Sequence, residues 1–153
     1  MGLKGTLKVM KTVAGQLTGE VFFEEDNLVM LLSKQHMLEF LYLPNKTSTP
    51  IQILRIGRAG TIDPDALYPK DISRTETGLY DEIMSVPVTY TVNNAVPSVT
   101  FIADIEDSSA VGQMVSEAAL YTSANSMFNK KTFPGIPKTS EFGIHFEWTI
   151  TLL

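Results

Sequence analysis

The eleven residues from Phe142 to Leu152 alternate between apolar and mostly polar side chains. Every even position is apolar, and the series runs Phe142, Ile144, Phe146, Trp148, Ile150 and Leu152. Because successive side chains of a β-strand point to opposite faces, this pattern predicts a long strand with one face buried beneath a second layer. The fold must therefore be built around this strand.

Other segments indicate the rest of the architecture. Val86–Val92 and Val99–Ile105 alternate on either side of a short loop and predict a hairpin. Strands are also predicted at residues 51–56, 113–121 and 126–133, and a turn at 134–137. One helix begins at Asp26 or Asn27, either of which can cap it, and ends by Pro44. Six or seven strands and this helix predict a mainly β fold, an antiparallel β-sandwich or jelly-roll with one short N-terminal helix.

The N-terminal segment is basic, contains several glycines and is only weakly patterned. We interpret residues 1–20 as an N-terminal arm, either extended or forming an edge strand, and residues 21–153 as a single β-sandwich domain; a frayed terminus is the alternative. Lys8 and Lys11 are candidate interface residues in this arm. On this interpretation, removing Met1–Gly19 leaves the domain folded and weakens assembly.

Composition excludes several classes of function. The 153 residues suit one domain, and a net charge of −5 without a basic stripe argues against a nucleic-acid partner. No apolar run is long enough to predict a signal peptide or a membrane-spanning helix, so we expect no membrane partner. Cysteine is absent, which excludes disulfides and thiolate metal sites.

The sequence offers little for catalysis. His36 and His145 have no motif partner at useful spacing, and no nucleophile elbow is present. Gly57–Thr61 resembles a phosphate loop but lacks the Lys-Ser/Thr ending, so a strand-ending turn is the better interpretation. Glu117 lies in an otherwise apolar strand, where a carboxylate must be paired; we predict a structural partner such as Lys130 or Lys131. We expect no catalytic residue and no cofactor.

Two acidic clusters could supply oxygen ligands to calcium. They are Asp63 with Asp65, and Asp104 with Glu106 and Asp107. Neither has EF-hand spacing, so solvated loop acids are the favoured interpretation and we predict no metal site.

The segment Thr61–Asp81 is rich in Pro, Gly, Asp and Thr and has no clear period. Long loops inside a compact domain are usually functional or interfacial. Tyr68 and Tyr80 are therefore predicted to be apolar interface anchors. The later loop from residue 104 to 112 adds Asp104 and Asp107 to the candidate interface residues.

A series of short motifs resembles segments of tailed-bacteriophage virion proteins. The series comprises Ser116–Tyr121, Met127-Phe128, Lys131–Pro134, Ile136–Thr139 and Phe146–Ile150. In that family a strand ends "EAGLF" or "EAGLY", another leads into "TFP-x-I-x-K", and an "EWTI" strand closes the chain. The glycine of the first motif is Ala119 here. The upstream hairpin and the pairs Ile56-Gly57 and Gly60-Thr61 fit the same layout.

The resemblance implies a non-enzymatic virion structural protein, made in the host cytoplasm, and it gives no binding residues to carry over. We expect a homo-oligomer or an assembly with other virion structural proteins in the tail, neck or baseplate. Two alternatives stay open: a capsid decoration (cement) protein, and a carbohydrate-binding module of a receptor-binding apparatus. The last would need an exposed aromatic platform, and a hydrolase would need clustered carboxylates.

Overall fold

The computed structural model of the chain describes residues 2–42, 44, 50–62 and 66–153. Within these residues the structure is mainly β, with nine strands and one helix. The strands are β1 (Leu3–Val13), β2 (Gln16–Val29), β3 (Ile51–Gly57), β4 (Glu82–Pro87), β5 (Thr89–Asn93), β6 (Ser98–Ile105), β7 (Met114–Thr122), β8 (Met127–Pro137) and β9 (Gly143–Leu152). Helix α1 (Leu31–Tyr42) follows β2. No helix among the described residues has the length and apolar character needed to cross a membrane.

The strands form two antiparallel sheets that share β2. Their hydrogen-bonded order is β4-β3-β7-β8-β2-β1-β9-β6-β5. Strand β2 pairs with β1 over most of its length, and only Leu28 and Val29 pair with β8. We call β2-β1-β9-β6-β5 the first sheet and β8-β7-β3-β4 the second sheet. At the other end of the order, only Val88 separates β4 from β5, and its N–H donates to the Gln52 carbonyl at 3.0 Å. The chain therefore crosses from one sheet to the other in two places, at the end of β2 and between β4 and β5.

Both sheets contribute to one hydrophobic core. The first sheet supplies Leu7, Val9, Ala103, Ile105, Ile144, Phe146 and Trp148, and the second supplies Leu54, Ile56, Val115, Ala118, Leu120, Phe133 and Ile136. Ile144, Phe146 and Trp148 have no exposed surface, so the burial predicted for the alternating strand is confirmed. Two antiparallel layers around a shared core are consistent with a β-sandwich.

Trp148 explains why β2 carries a polar residue where it leaves the first sheet. The indole N–H donates to Asn27 Oδ1 at 2.8 Å, which satisfies a buried donor. Gly5 makes room for this amide, because a Cβ at that position would lie 2.2 Å from Asn27 Oδ1. The predicted helix start at Asp26 or Asn27 is therefore wrong: β2 continues to Val29 and α1 begins at Leu31. The side chain of His36, within α1, lies outside the described part of the structure.

The N-terminal arm interpretation is also wrong. Strand β1 lies inside the first sheet, hydrogen-bonded to β2 on one side and to β9 on the other. Leu7 and Val9 have no exposed surface. The predicted domain boundary at residue 20 falls within β2. Strand β1 is therefore an integral part of the fold.

Two smaller predictions about the strands also fail. Residues 134–137, predicted as a turn, lie in β8, and the strand predicted over Val86–Val92 is divided into β4 and β5. The division has a physical reason, because the chain leaves the second sheet after Pro87 and enters the first at Thr89. The predicted hairpin itself is confirmed by the pairing of β5 with β6.

Candidate interaction surface

The segment between β3 and β4, residues 58–81, is held in place by a carboxylate buried in the second sheet. We call this segment the long loop. Glu117 on β7 has no exposed surface, and its Oε1 accepts the Asp81 N–H at 2.8 Å while its Oε2 accepts the Tyr80 N–H at 2.9 Å. A buried carboxylate that accepts backbone hydrogen bonds fixes the backbone that donates to it. Glu117 therefore anchors the C-terminal end of the long loop.

Lys130 on β8 supplies the opposite charge and is likewise fully buried. Its Nζ lies 3.7 Å from Glu117 Oε2, donates to Glu76 Oε1 at 3.1 Å and to the Gly78 carbonyl at 3.0 Å, and sits 3.4 Å from the centre of the Tyr80 ring. The ammonium group is thus enclosed by carboxylates, a carbonyl and an aromatic face, which is what a buried cation requires. The structural role predicted for Glu117, with Lys130 as its partner, is confirmed.

The pKa values of the neighbouring groups reflect this enclosure. Burial raises the pKa of Glu76, but hydrogen bonds from Tyr80, the Ser73 N–H and Lys130 outweigh it and bring the pKa below its ordinary value. Burial, together with the adjacent Glu76 and Glu117 carboxylates, raises the pKa of Tyr80. Glu76 is ionised and Tyr80 neutral near pH 7, and the two shifts widen the pH range over which both keep their contacts to Lys130.

The N-terminal end of the long loop packs directly against β7 through two glycines. A Cβ on Gly57 would lie 2.3 Å from Glu117 Oε1, and a Cβ on Gly60 would lie 2.0 Å from the Ser116 carbonyl oxygen. The Gly60 N–H donates to Ser116 Oγ at 2.9 Å. Gly57 and Gly60 therefore allow a close backbone-to-strand contact where β3 ends. Neither has a positive φ, so the conformational freedom assumed in the turn interpretation is not what these glycines supply.

Substitution of Gly60 tests this contact. We expect Gly60→Ala to lower the free energy of unfolding by about 1–3 kcal/mol, because the new methyl group meets a backbone carbonyl that cannot move independently. Urea denaturation measures the change. Gly78→Ala is the matched control in the same loop: its Cβ would meet only the Tyr121 hydroxyl at 3.7 Å, and we expect a change within about 0.5 kcal/mol. Equal effects of the two substitutions would contradict the packing argument.

Hydrogen bonds also hold four further described residues of the long loop, Ile62, Ala66, Tyr68 and Lys70. The Ile62 N–H donates to the Tyr68 carbonyl at 2.8 Å, and the Gly135 N–H of β8 donates to the Ala66 carbonyl at 2.7 Å. The Thr132 hydroxyl donates to the Lys70 carbonyl at 2.6 Å. The first bond closes the loop on itself, and the other two tie Ala66 and Lys70 to β8.

This fixed loop displays large apolar side chains at its tip. The exposed fractions are 55% for Ile62, 71% for Leu67 and 60% for Tyr68. We call these three residues the loop tip. Apolar side chains on a rigid support lose little conformational entropy on binding and are typical of protein interfaces. The loop tip is therefore the best candidate for an interaction surface in this part of the fold.

The structure separates the two tyrosines predicted as interface anchors. Tyr68 lies at the exposed loop tip. Tyr80 is 42% exposed, but its ring packs on Lys130 and its hydroxyl donates to the Asp71 carbonyl at 3.4 Å, so it anchors the loop instead. Alternation could not have found Ile62 and Leu67, because the loop has no period.

The charged residues predicted to form interfaces lie elsewhere and do not converge. Lys8 is on β1, opposite Glu24 and Glu147. Lys11 forms an ion pair with Glu20 at 3.4 Å.

Asp104 and Asp107 are already engaged within the fold. Asp104 Oδ1 lies 2.6 Å from His145 Nδ1, and His145 Nε2 lies 3.2 Å from Glu147. Asp107 Oδ2 accepts the Ala14 N–H at 3.0 Å, and its carbonyl accepts from Lys138 Nζ at 2.8 Å. Asp104 therefore links β6 to β9, and Asp107 links the loop after β6 to the β1–β2 turn and to Lys138.

Lys138 is a buried cation that the sequence did not reveal. It is 2% exposed, and its Nζ also donates to the Thr139 carbonyl at 2.7 Å. Burial lowers the pKa of Lys138, and the nearby Asp107 carboxylate partly offsets this. Lys138 joins the loop after β8 to the loop after β6, a structural role.

Metal ligation has no arrangement to support it in the part of the chain described here. Across residues 2–42, 44, 50–62 and 66–153, no group of three or more His, Asp or Glu side chains is placed to hold a metal ion. Asp63 and Asp65, one of the two predicted acidic clusters, lie outside the described residues.

Comparison with known proteins adds no relative. No protein-family model, no curated protein and no solved structure matches this chain.

Proposed function

We propose that this chain is a non-enzymatic structural protein of a bacteriophage virion. It assembles with itself or with neighbouring virion proteins in the tail, neck or baseplate. The observation that carries the proposal is the loop tip: three large apolar side chains exposed on a loop that Glu117, Lys130 and β8 hold rigid. The resemblance of the C-terminal motifs to virion proteins supports the same conclusion. A β-sandwich suits this role, and its jelly-roll version stays a prediction.

The buried ionisable groups support an architectural function. Glu117 accepts two backbone N–H groups at 2.8 and 2.9 Å, and Lys130 is enclosed by the long loop. Groups engaged in this way stabilise one arrangement of the backbone around them. We therefore assign Glu117 and Lys130 the role of holding the long loop that carries the loop tip.

A capsid decoration protein is the alternative within the same class, and the same loop tip would serve it. The location of the chain in an intact particle, determined by cryo-electron microscopy, separates the two: a ring on the tail axis supports the first, and placement on the shell supports the second. A carbohydrate-binding module would need several exposed aromatic rings on one platform, whereas the loop tip offers only Tyr68.

The proposal predicts that polar substitution of the loop tip abolishes assembly without unfolding the chain. We expect the double variant Ile62→Asp/Tyr68→Asp to change the free energy of unfolding by less than about 1 kcal/mol, because both side chains are exposed. Each truncated anchor costs about 2 kcal/mol of binding or more, which corresponds to roughly 30-fold in affinity. The measurement is the amount of chain incorporated into particles assembled with each variant.

Leu17→Asp is the matched control, since Leu17 is equally exposed, at 55%, in the β1–β2 hairpin. It should leave incorporation unchanged. Normal incorporation of the double variant would refute the role proposed for the loop tip.

A further inference from the structure

Strand β5 is an unprotected edge of the first sheet. It pairs with β6 on one side, and no described strand pairs with its other side. All five of its residues, Thr89–Asn93, are exposed, and none is charged or a proline. Natural proteins usually block such edges with lysine, proline or a bulge, because the free N–H and C=O groups otherwise accept another strand. Because β5 has no lysine, proline or bulge, its free edge is suited to pairing with another strand.

Rows of apolar side chains, paired across neighbouring strands, extend from the core to β5. One cross-strand row consists of Leu7, Trp148, Phe101 and Tyr90 on β1, β9, β6 and β5. Leu7 and Trp148 are fully buried, whereas Tyr90 is 66% exposed although it points to the same face. In the adjacent row Val92 is 57% exposed. The second sheet therefore does not cover the inner face of β5.

An apolar cleft of about 430 Å³ lies beside these exposed side chains. Its walls include Val92, Val99, Phe101, Phe128 and Ile150, and none of the described side chains that line it is charged. An uncharged, apolar cleft next to a free strand edge suits a neutral strand with alternate apolar side chains. Strand β5 itself has this composition.

The outer face carries a matching polar row. Thr6, Thr149, Thr100 and Thr91 are paired successively across β1, β9, β6 and β5. The hydroxyl oxygens of Thr100 and Thr149 are 2.8 Å apart, so they form a hydrogen bond within this row. The row ends at Thr91, the middle residue of β5.

We propose that β5 pairs antiparallel with β5 of a second copy of this chain, across a two-fold axis at Thr91. In this register Thr91 faces Thr91 of the second copy, Tyr90 faces its Val92, and Thr89 faces its Asn93. Directly opposed residues of an antiparallel pair point to the same face. The apolar residues therefore meet on the inner face and the polar ones on the outer face, and both the apolar and the threonine rows continue across the axis. This pairing deepens the proposed function by naming a partner, and it rests on that function for the premise that the chain assembles.

The two-fold position of Thr91 allows a charge-pairing test on the full chain. Thr91→Lys places two lysines opposite each other in a homodimer, and Thr91→Glu places two glutamates there. Like charges directly opposed across strands are destabilising, whereas opposite charges attract. We expect wild-type mass, by sedimentation equilibrium, to rise from 16.9 kDa towards twice that value as concentration increases. Each variant alone should dimerise at least tenfold more weakly, and an equimolar mixture of the two should regain dimerisation.

Gln16→Lys, at the exposed first residue of β2, is the matched control and should dimerise like wild type. Thermal unfolding confirms that each variant is folded. A wild-type chain that stays monomeric, a Thr91→Lys variant that behaves like Gln16→Lys, or a mixture that does not regain dimerisation would each overturn the proposal.

Amide hydrogen exchange provides a readout that needs no variant. The alternate N–H groups of β5 that point away from β6 should exchange more slowly as protein concentration rises. Protection that does not depend on concentration overturns the proposal. Failure of the proposed function looks different: Ile62→Asp/Tyr68→Asp would enter particles normally while the β5 dimer persisted. If that double variant loses incorporation but the Thr91 variants keep wild-type mass, only the β5 pairing is refuted.

Discussion

Replacement of Glu117 by alanine is expected to lower the free energy of unfolding by about 3–5 kcal/mol. The substitution removes the charge 3.7 Å from the buried Lys130 ammonium and leaves that cation with Glu76 as its remaining carboxylate partner. It also removes the acceptor of the Tyr80 and Asp81 N–H groups, and an unpaired buried donor costs about 1–3 kcal/mol. Urea denaturation followed by circular dichroism measures the loss.

The companion variants separate charge from shape. Glu117→Gln keeps the size and one acceptor oxygen but removes the charge, so we expect a smaller loss than for alanine. Combining Glu117→Gln with Lys130→Met removes both charges, and the double variant should be more stable than the sum of the two single losses implies. An alanine variant within about 1 kcal/mol of wild type would show that the carboxylate does not anchor the long loop.

The Glu117→Ala variant should also show that the loop tip depends on Glu117 for its position. Without Glu117, the N–H groups of Tyr80 and Asp81 lose their acceptor, and their hydrogen exchange should accelerate before global unfolding. Particle incorporation should fall at a temperature where the chain is still folded, because the loop tip is then no longer held in one arrangement.

The sequence predicts the part of the fold whose signal is long and periodic. Strand β9 carries apolar residues at every second position, and the residues of its central section, Ile144, Phe146 and Trp148, are fully buried. Period-two alternation over the length of β9 has few alternative structures, so the strand and its burial are both predicted. The β5–β6 hairpin has the same signal over shorter strands. There the pairing is predicted correctly, but Tyr90 and Val92 of β5 are 66% and 57% exposed, because the second sheet does not cover them.

Strand β1 shows why other elements escape prediction. Its inner face presents Gly5, Leu7 and Val9, so one of three positions has no side chain. That glycine is explained only by Asn27, which occupies the space and accepts the Trp148 N–H from 121 residues away in sequence. Asn27 itself has the chemistry of a helix N-cap, and only tertiary structure shows that its oxygen is used elsewhere.

The candidate surfaces, too, could be predicted from the sequence only in part. The presence of a long loop and the exposure of Tyr68 could be anticipated from composition and length. The anchoring role of Tyr80 could not, because it depends on Lys130, which is distant in sequence. The symmetric arrangement of Thr89–Asn93 about Thr91 is visible in the sequence, but its significance depends on β5 lying at an edge.

Deletion of residues 1–13 is expected to abolish cooperative folding. This removes β1, which lies between β2 and β9, and leaves both neighbours without their ladder partner. Leu7 and Val9 are fully buried, and burial of such side chains contributes about 1.5–3 kcal/mol each. Together with the lost backbone hydrogen bonds, this approaches the whole stability of a typical domain, about 5–15 kcal/mol. Thermal unfolding by circular dichroism should show no cooperative transition.

Point substitutions show whether the loss comes from the core. Leu7→Ala should lower the free energy of unfolding by about 2–5 kcal/mol, because it leaves a cavity between the two sheets. Lys8→Ala, at the adjacent position on the outer face, should change it by no more than about 0.5 kcal/mol. A chain lacking residues 1–13 that still melts cooperatively, near the wild-type temperature, would mean that β1 is dispensable. That result would contradict the integral role assigned to β1, because the burial of Leu7 and Val9 would then contribute little to the stability of the fold.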